Sequence, residues 1–234
     1  MKIKSLLLFL SIIPLPLLGG TGPADRLIES KSCPRCELSH AALQFSSLTE
    51  ANLEGANLEQ VNLESTDLRG ANFKKANLTK ANLSNANLEG ADLRGAKLHQ
   101  ANLEGANLKG ALLEKADFYK ANLKLANLTG AKAKGAKFAE TTLYYSQMMG
   151  GDFSYCTFEK SRIVWASFEG AKVQFANFQF ALIEETNLNG ADLRRAKFND
   201  AQLLSVGYKN TLFLGARWVD GRQCKGTSVG ICQK

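Results

Sequence analysis

Large apolar residues recur at every fifth position along most of the chain. Stepping by five from Leu38 through Leu43 and Leu48 reaches Trp218 without a break in phase. Every position in this series is large and apolar except Ala133. Two residues before each of them stands a small residue, usually Ala and otherwise Ser, Thr, Gly, Cys or Val. The three remaining positions of each five are mostly polar.

A period of five fits neither an amphipathic helix, with 3.6 residues per turn, nor a plain strand, with a period of two. The pattern instead requires a coil in which one large and one small side chain point inward per five residues. Segments 51–55 (Ala-Asn-Leu-Glu-Gly) and 91–95 (Ala-Asp-Leu-Arg-Gly) show the repeat most clearly. These segments resemble the motif of the pentapeptide repeat family, and the resemblance covers residues 36 to about 220. The resemblance implies an all-β fold, a right-handed quadrilateral β-helix of about nine coils.

A four-sided coil places residues 20 apart directly above one another, and the sequence supports that spacing. One column of inward residues changes once from leucine to aromatic, running Leu38, Leu58, Leu78, Leu98, Phe118, Phe138, Phe158, Phe178, Phe198, Trp218. The next column is aliphatic from Leu43 to Leu203. Stacked rings pack on one another without the voids that a Leu below a Phe would leave. At a strand spacing of ~4.8 Å, about nine coils give a rod roughly 45 Å long.

Ala133 removes side-chain volume from an otherwise filled column. Either Phe138 and neighbouring rings close the gap, or the coil is locally loose. The following coil also departs from the usual pattern, with Thr-Thr-Leu at 141–143 and Ser-Gln-Met at 146–148. This neighbouring irregularity favours local loosening.

The first 24 residues have the pattern of a secretory signal. Lys2 and Lys4 precede an uncharged apolar stretch that is too short to span a bilayer as a helix. Small residues before Asp25 predict cleavage after Ala24; an uncleaved N-terminal anchor is the alternative. We therefore divide the chain into a signal peptide (1–24), an N-terminal cap (25–35), the repeat rod (36–220) and a C-terminal cap (221–234). Resemblance to signal-bearing cyanobacterial members of the family implies export to the periplasm or the thylakoid lumen.

Four of the five cysteines lie at the two ends of the predicted rod. Cys33 and Cys36 precede the first coil, and Cys224 and Cys232 follow the last. Because an exported protein enters an oxidising compartment, we predict the disulfides Cys33–Cys36 and Cys224–Cys232. Cys156 occupies a small inward position, where a buried thiol packs like Ala. The alternative for Cys33 and Cys36 is a thiol-disulfide oxidoreductase, but that chemistry requires a thiol at a helix N-terminus, and no periodic helix follows.

Catalytic, metal and cofactor sites are not expected in this sequence. The two histidines, His40 and His99, stand about three coils apart on the predicted surface and cannot converge. Neither lies beside a Ser or Cys that it could activate. A rod filled with side chains also offers no deep pocket. We predict a protein that is not an enzyme and binds no cofactor.

The formal charge of +7 does not indicate nucleic-acid binding. Residues 36–220 contain 21 Lys and Arg against 20 Asp and Glu, so the rod is nearly neutral and most of the charge lies in the termini. Some pentapeptide repeat proteins mimic DNA and bind DNA gyrase, which requires a strongly acidic rod. The charge balance and the predicted export both oppose that role. The middle of the rod, residues 69–137, is basic and could hold an anionic surface, or it is an ordinary solvated exterior.

One group of exposed apolar residues is a candidate interface. The 20-residue spacing stacks Leu125, Tyr145 and Trp165 in consecutive coils and places Tyr144 beside Val164. Clustered exposed aromatics are typical of protein interfaces, although scattered apolar residues also occur on any protein surface.

The position of two further phenylalanines relative to this group stays open. Phe175 and Phe180 either extend it or lie around the corners of the rod. The function that the sequence favours is a non-catalytic exported scaffold or protein-binding rod with an unidentified protein partner. It has no nucleic-acid partner and no stable membrane insertion once the signal is cleaved. A self-assembling structural rod is a further possibility, and the oligomeric state stays open.

Overall fold

The computed structural model describes residues 22–226 and 228–233, so most of the predicted signal segment lies outside the described part. One helix, α1 (Pro23–Ser30), precedes the repeats. Three short strands follow, β1 (Arg162–Val164), β2 (Leu182–Glu184) and β3 (Gln202–Leu204), and they form a parallel sheet in the order β1-β2-β3. The other repeats pair through single parallel bridges between residues 20 apart. None of the described helical segments has the length and apolar composition of a transmembrane helix.

The chain forms the right-handed quadrilateral β-helix that the repeat predicts, with four pentapeptides per coil. We name its faces by their columns of inward residues. Face A runs from Leu38 to Trp218, face B from Leu43 to Leu203, face C from Leu48 to Tyr208 and face D from Cys33 to Phe213. The fifth residue of each repeat lies at a corner, so the B–C edge contains residues 45 to 205 and the D–A edge contains residues 35 to 215.

Backbone hydrogen bonds explain both the coil spacing and the corners. On face B, the Leu83 N–H donates to the carbonyl of Asn102 at 2.7 Å, and the Asn82 N–H donates to the carbonyl of Val61 in the coil below at 2.9 Å. A turn then closes as the Ala86 N–H donates to the Leu83 carbonyl at 3.1 Å. Every fifth residue from Arg35 to Gly215 has a positive φ, between 47° and 71°. A residue in the left-handed conformation is what turns the chain at each corner.

The core is one continuous stack of the large and small inward residues. In the aromatic part of face A, successive rings from Phe118 to Phe198 stack with centroids 4.8–5.0 Å apart and nearly parallel planes. Trp218 ends this column, tilted by 57° against Phe198. The predicted change from leucine to aromatic packing is therefore a change from aliphatic contacts to ring stacking.

Hydrogen bonds explain why Asn is preferred at the position before each inward Leu. Asn122 uses its Oδ1 to accept the N–H of Lys124 at 3.1 Å, which holds its own turn. Its Nδ2 donates to Oδ1 of Asn102 in the coil below, also at 3.1 Å. Similar side-chain bonds join Asn pairs 20 residues apart on all four faces. These external amide ladders tie neighbouring coils together outside the core.

Polar residues at the small inward positions bond to the backbone. The hydroxyl of Thr66 donates to the carbonyl of Leu43 at 2.9 Å, and that of Thr211 donates to Leu188 at 2.7 Å. The buried thiol of Cys156 lies 2.9 Å from the carbonyl of Ala133. Each substitution for Ala therefore keeps its polar group satisfied, as burial requires.

The coil at Ala133 is closed rather than loose. The Ala133 N–H donates to the carbonyl of Asp152 at 2.7 Å, so the backbone ladder continues through this repeat. In the next coil, the Phe153 ring leans over Gly151, where a Cβ would come within 2.5 Å of the ring. The same ring meets Phe138 edge to face at 6.1 Å. The neighbouring rings thus close the gap, so the local loosening that the sequence analysis favours is wrong.

The N-terminal end begins earlier than the predicted boundary at residue 36. Helix α1 starts at Pro23, and the Gly22 N–H donates to the Asp25 carboxylate at 3.2 Å. The first parallel bridge joins Ser32 to Asn52, because Cys33 occupies an inward position and is buried like the leucines above it. The helix contributes its buried Leu27 to the core at this end.

The C-terminal end is covered by a reversed segment. After Trp218 the chain turns back, and antiparallel bridges join Leu212 to Val229 and Arg217 to Gln223. This segment covers faces D and A of the last coil. On faces B and C, the inward residues Leu203 and Tyr208 are only half-buried.

Candidate interface

The predicted apolar group forms a continuous column on the B–C edge. Leu125, Tyr145 and Trp165 are 52%, 51% and 54% exposed. The rings of Tyr145 and Trp165 are nearly parallel, with an interplanar angle of 8° and centroids 6.4 Å apart. The structure therefore brings these three side chains together as the 20-residue spacing predicts.

The other two candidates lie beside this column on face B. Tyr144 and Val164 are half-buried, and the guanidinium of Arg162 lies 5.3 Å from the centre of the Tyr144 ring. The Tyr145 N–H donates to the Val164 carbonyl at 2.9 Å, so the two coils are held in register beneath the exposed rings. All five candidates thus belong to one surface, which we call the B–C patch.

The backbone at these corners makes large side chains an unusual choice. Leu125, Tyr145 and Trp165 have φ of 60°, 57° and 55°. A left-handed conformation costs an L-residue with a Cβ roughly 1–2 kcal/mol, whereas Gly adopts it freely. Seven corners nonetheless have large apolar residues, and all but one of them lie between residues 125 and 180: Phe45, Leu125, Tyr145, Tyr155, Trp165, Phe175, Phe180. The exposed rings are therefore concentrated in one part of the rod.

Phe175 and Phe180 lie around the corners and do not extend the B–C patch. Phe180 lies on the edge between faces A and B, and Phe175 lies on the D–A edge, diagonally opposite the patch. On the D–A edge Phe175 stacks on Tyr155, with centroids 4.7 Å apart and planes within 4°. The sequence analysis missed this second pair, although the same 20-residue arithmetic links Tyr155 to Phe175.

Many charged side chains form ion pairs on the rod surface. In three Asp-Leu-Arg segments, the Asp and Arg flank an inward Leu and join in a two-bond ion pair: Asp67 with Arg69, Asp92 with Arg94, Asp192 with Arg194. The hydrogen bonds of Arg69 lower the pKa of Asp67 to about 2. Burial raises the pKa of Asp117, but hydrogen bonds from His99 and Lys137 outweigh it and lower the pKa overall.

The cysteines form two bonded pairs and one isolated thiol. Disulfides join Cys33 to Cys36 and Cys224 to Cys232, with Cα atoms 5.4 and 5.1 Å apart. Cys156 is free and buried, and burial raises the pKa of its thiol. A thiol held in its protonated form is a poor nucleophile. Cys33 is buried, whereas Cys36 is half-buried and borders a groove of about 320 Å³ beside α1.

The histidines do not converge on a metal site. His40 lies at a corner between faces A and B, and the Nε2 of His99 lies 3.2 Å from the Asp117 carboxylate. Across the described ranges, no three His, Cys, Asp or Glu residues are grouped so that they could hold a metal ion.

Comparison with known proteins matches the repeat directly. The family model for pentapeptide repeats matches in eight copies, over residues 36–74, 71–110, 106–143 and 174–203. A search of curated protein sequences found no significant match.

Several solved structures are similar to this chain. HetL, a pentapeptide repeat protein involved in heterocyst differentiation regulation in the cyanobacterium Nostoc sp. strain PCC 7120, is 30% identical, with 82% of this chain and 91% of HetL covered and a TM-score of 0.41. A pentapeptide repeat protein from the Arabidopsis thaliana thylakoid lumen is 29% identical, covering 53% of this chain and 74% of its own, with a TM-score of 0.36.

A third solved structure shares the fold at lower identity. QnrB1, a plasmid-mediated fluoroquinolone resistance protein, is 16% identical, with 66% of this chain and 78% of QnrB1 covered and a TM-score of 0.59. At this identity the likeness shows the fold alone. Because the family model matches more than half of the residues and the repeats form the expected coils, the chain belongs to the pentapeptide repeat family.

Proposed function

We propose that this protein is a non-catalytic binding rod whose B–C patch contacts a partner protein. The observation that supports the proposal is the exposed column of Leu125, Tyr145 and Trp165, three large side chains stacked at corner positions. Exposed aromatic clusters of this kind are the usual anchors of protein interfaces. The hydrogen-bonded coils beneath the patch hold it in place. This protein would therefore lose little conformational freedom when a partner binds.

The location of the rings argues for an interface over chance exposure. Each of these corners would be less strained with Gly, which occupies the neighbouring B–C corner at position 105 with a φ of 68°. Large rings at adjacent strained corners therefore reduce stability, and a binding surface would explain why they are there. Stacking of Tyr145 on Trp165 offsets only part of this cost.

We place the protein in an oxidising compartment, the periplasm or the thylakoid lumen. The basic and apolar N-terminal segment and the two cysteine pairs at the rod ends support export. Edman sequencing of protein isolated from its native cells should begin at Asp25. Mass spectrometry without reduction should find a single free thiol, Cys156; four or more free thiols would contradict the oxidised arrangement.

The cysteine pair beside α1 supports a second candidate, thiol-disulfide exchange. Cys36 borders the groove of about 320 Å³, whose lining includes Arg26 and Pro34. An insulin-reduction assay separates the two functions. The binding rod predicts no activity above background and no effect of Cys33→Ser, whereas an oxidoreductase would lose its turnover in that variant.

Proximity labelling in the native cells tests the binding function. The wild-type rod and a Tyr145→Asn/Trp165→Asn variant should be fused to the same labelling enzyme at the C-terminus. Asn tolerates the left-handed corner, so the variant should fold. The matched control is Phe45→Asn, because Phe45 is an exposed corner residue on the same edge, several coils away. A specific partner should be lost in the double variant and retained in the control; equal labelling by all three would contradict the proposal.

A further inference from the structure

The D–A edge contains a second surface of different character from the B–C patch. Four side chains from successive coils form one column: the ammonium of Lys134 lies 5.4 Å from the Tyr155 ring centre, Tyr155 stacks on Phe175, and the guanidinium of Arg195 lies 5.4 Å from the Phe175 ring centre. Both rings remain exposed, by 52% and 40%. A groove of about 410 Å³ runs beside them along face D, reaching Ser154, Gln174 and Leu214.

The geometry of this column makes its exposed part electropositive. The face of an aromatic ring is negative and its edge is positive. In this column the ring faces are taken up by the two cations and by each other, so the ring edges point outward. Solvent therefore meets positive ring edges between two full positive charges.

The neighbouring charges add to the same sign. Basic side chains on the D–A edge and face D of these coils are Lys132, Lys134, Lys172, Arg194 and Arg195, against the acids Asp152 and Asp192. Asp192 is already bonded to Arg194 and to the Gln174 amide, at 2.6 Å each. Within residues 22–226 and 228–233, Lys134, Lys172 and Arg195 form no ion pair.

The B–C patch lacks this excess of positive charge. On face B and the B–C edge of these coils, Glu184 and Glu185 balance Lys124 and Arg162, and Lys124 is paired with Glu104 at 2.9 Å. The two edges would therefore select partners of different charge.

We propose that the D–A edge binds an acidic peptide segment of a partner protein. Carboxylates of that segment would pair with Arg195, Lys134 and Lys172, and its apolar side chains would lie in the groove against Tyr155 and Phe175. Charge complementarity determines this choice of occupant. The surface is separate from the B–C patch, so failure of this proposal leaves the proposed function unaffected.

Two synthetic peptides test the proposal on the purified full chain by fluorescence anisotropy at low salt. The acidic probe is fluorescein-labelled Asp-Phe-Glu-Asp-Tyr-Glu with an amidated C-terminus, and its neutral isostere is Asn-Phe-Gln-Asn-Tyr-Gln. The acidic probe should bind at least about tenfold more tightly than the isostere, a difference of ~1.4 kcal/mol. Added salt should weaken the binding, because the cations lie at the surface.

Three variants assign the binding to this edge. Lys134→Gln/Arg195→Gln should weaken binding about tenfold, whereas Lys134→Arg/Arg195→Lys should restore it and show that charge rather than folding is responsible. Phe45→Asn, on the opposite edge and outside the B–C patch, should leave the affinity unchanged. Absent binding, equal affinity for the two peptides, or loss of binding with Phe45→Asn would overturn the proposal. A dimer that analytical ultracentrifugation detects for the wild type but not for Lys134→Gln/Arg195→Gln would also overturn it. The occupant of the edge would then be a second copy of the chain.

Discussion

The first coils and the later coils of this rod are stabilised in different ways. Up to about residue 120, the inward residues are mostly leucine, the exterior has Asn ladders, and the corners are mainly Gly or polar residues. Beyond it, stacked rings fill the core, Asn becomes sparse outside, and large rings occupy several corners. Parallel backbone pairing between residues 20 apart continues through both parts. A β-helix can therefore move its inter-coil contacts from outside to inside, which leaves its later exterior free for other contacts.

Removing a core ring should have the largest effect on stability. Phe158 stacks between Phe138 and Phe178 at 5.0 and 4.8 Å, so Phe158→Ala loses both contacts and leaves a cavity. We expect a loss of about 3–5 kcal/mol in the free energy of unfolding, measured by denaturant melts. Leu78→Ala in the same column should cost less, within about 2–5 kcal/mol. If the leucine variant loses more, ring stacking does not distinguish the later coils.

A single methyl group should disturb the closed coil next to Ala133. Gly151→Ala places a Cβ 2.5 Å from the Phe153 ring and 3.1 Å from the Ala131 carbonyl. Overpacking of this kind costs about 1–3 kcal/mol, visible as a lower Tm. Gly207→Ala is the matched control, because its nearest neighbour would lie 3.6 Å away. Equal Tm values for the two variants would contradict the prediction, because the Phe153 ring would then shift to accommodate the methyl group.

Breaking the external ladder should matter more in the earlier coils. Asn122→Ala removes two side-chain bonds to the coil below and the bond to its own turn, and should cost about 1 kcal/mol. Thr142→Ala, at the equivalent position one coil later, should be nearly silent because no Asn ladder reaches it. Thermal melts of the pair measure the difference, and a larger loss at Thr142 would contradict the comparison.

Acid should weaken the early rod slightly through Asp67. Its folded pKa, lowered to about 2 by Arg69, lies below the ordinary value of 3.8. The pair therefore stabilises the fold above about pH 4, and this contribution is lost as the pH falls towards 2. Because Arg69 is exposed and Asp67 is only half-buried, solvent screens the pair and the effect should be small. Asp67→Asn should flatten this part of the pH profile of Tm. An unchanged profile would mean that the Asp67–Arg69 pair does not stabilise the fold.

The sequence predicted the coil and its core because the repeat leaves each inward position only one orientation. It also placed Leu125, Tyr145 and Trp165 together, because a constant 20 residues per coil is enough to predict which side chains stack. The ends were less predictable. Cys33 lies in the first coil, and residues 222–226 and 228–229 reverse over the last coil. The repeat pattern stops at both ends, so tertiary contacts determine the structure there. The D–A column was missed since cation–ring contacts depend on side-chain conformations that periodicity does not specify.

Oxidative footprinting inside living cells tests the B–C patch most directly, because it needs no knowledge of the partner. Hydroxyl radicals generated by a short light pulse should modify Tyr145 and Trp165 readily in the purified protein, since both are about half exposed. Phe45 is the internal standard, being 74% exposed on the same edge outside the patch. In cells, modification of Tyr145 and Trp165 relative to Phe45 should fall clearly below its value in the purified protein. An unchanged ratio would contradict the assignment of the patch as a protein interface.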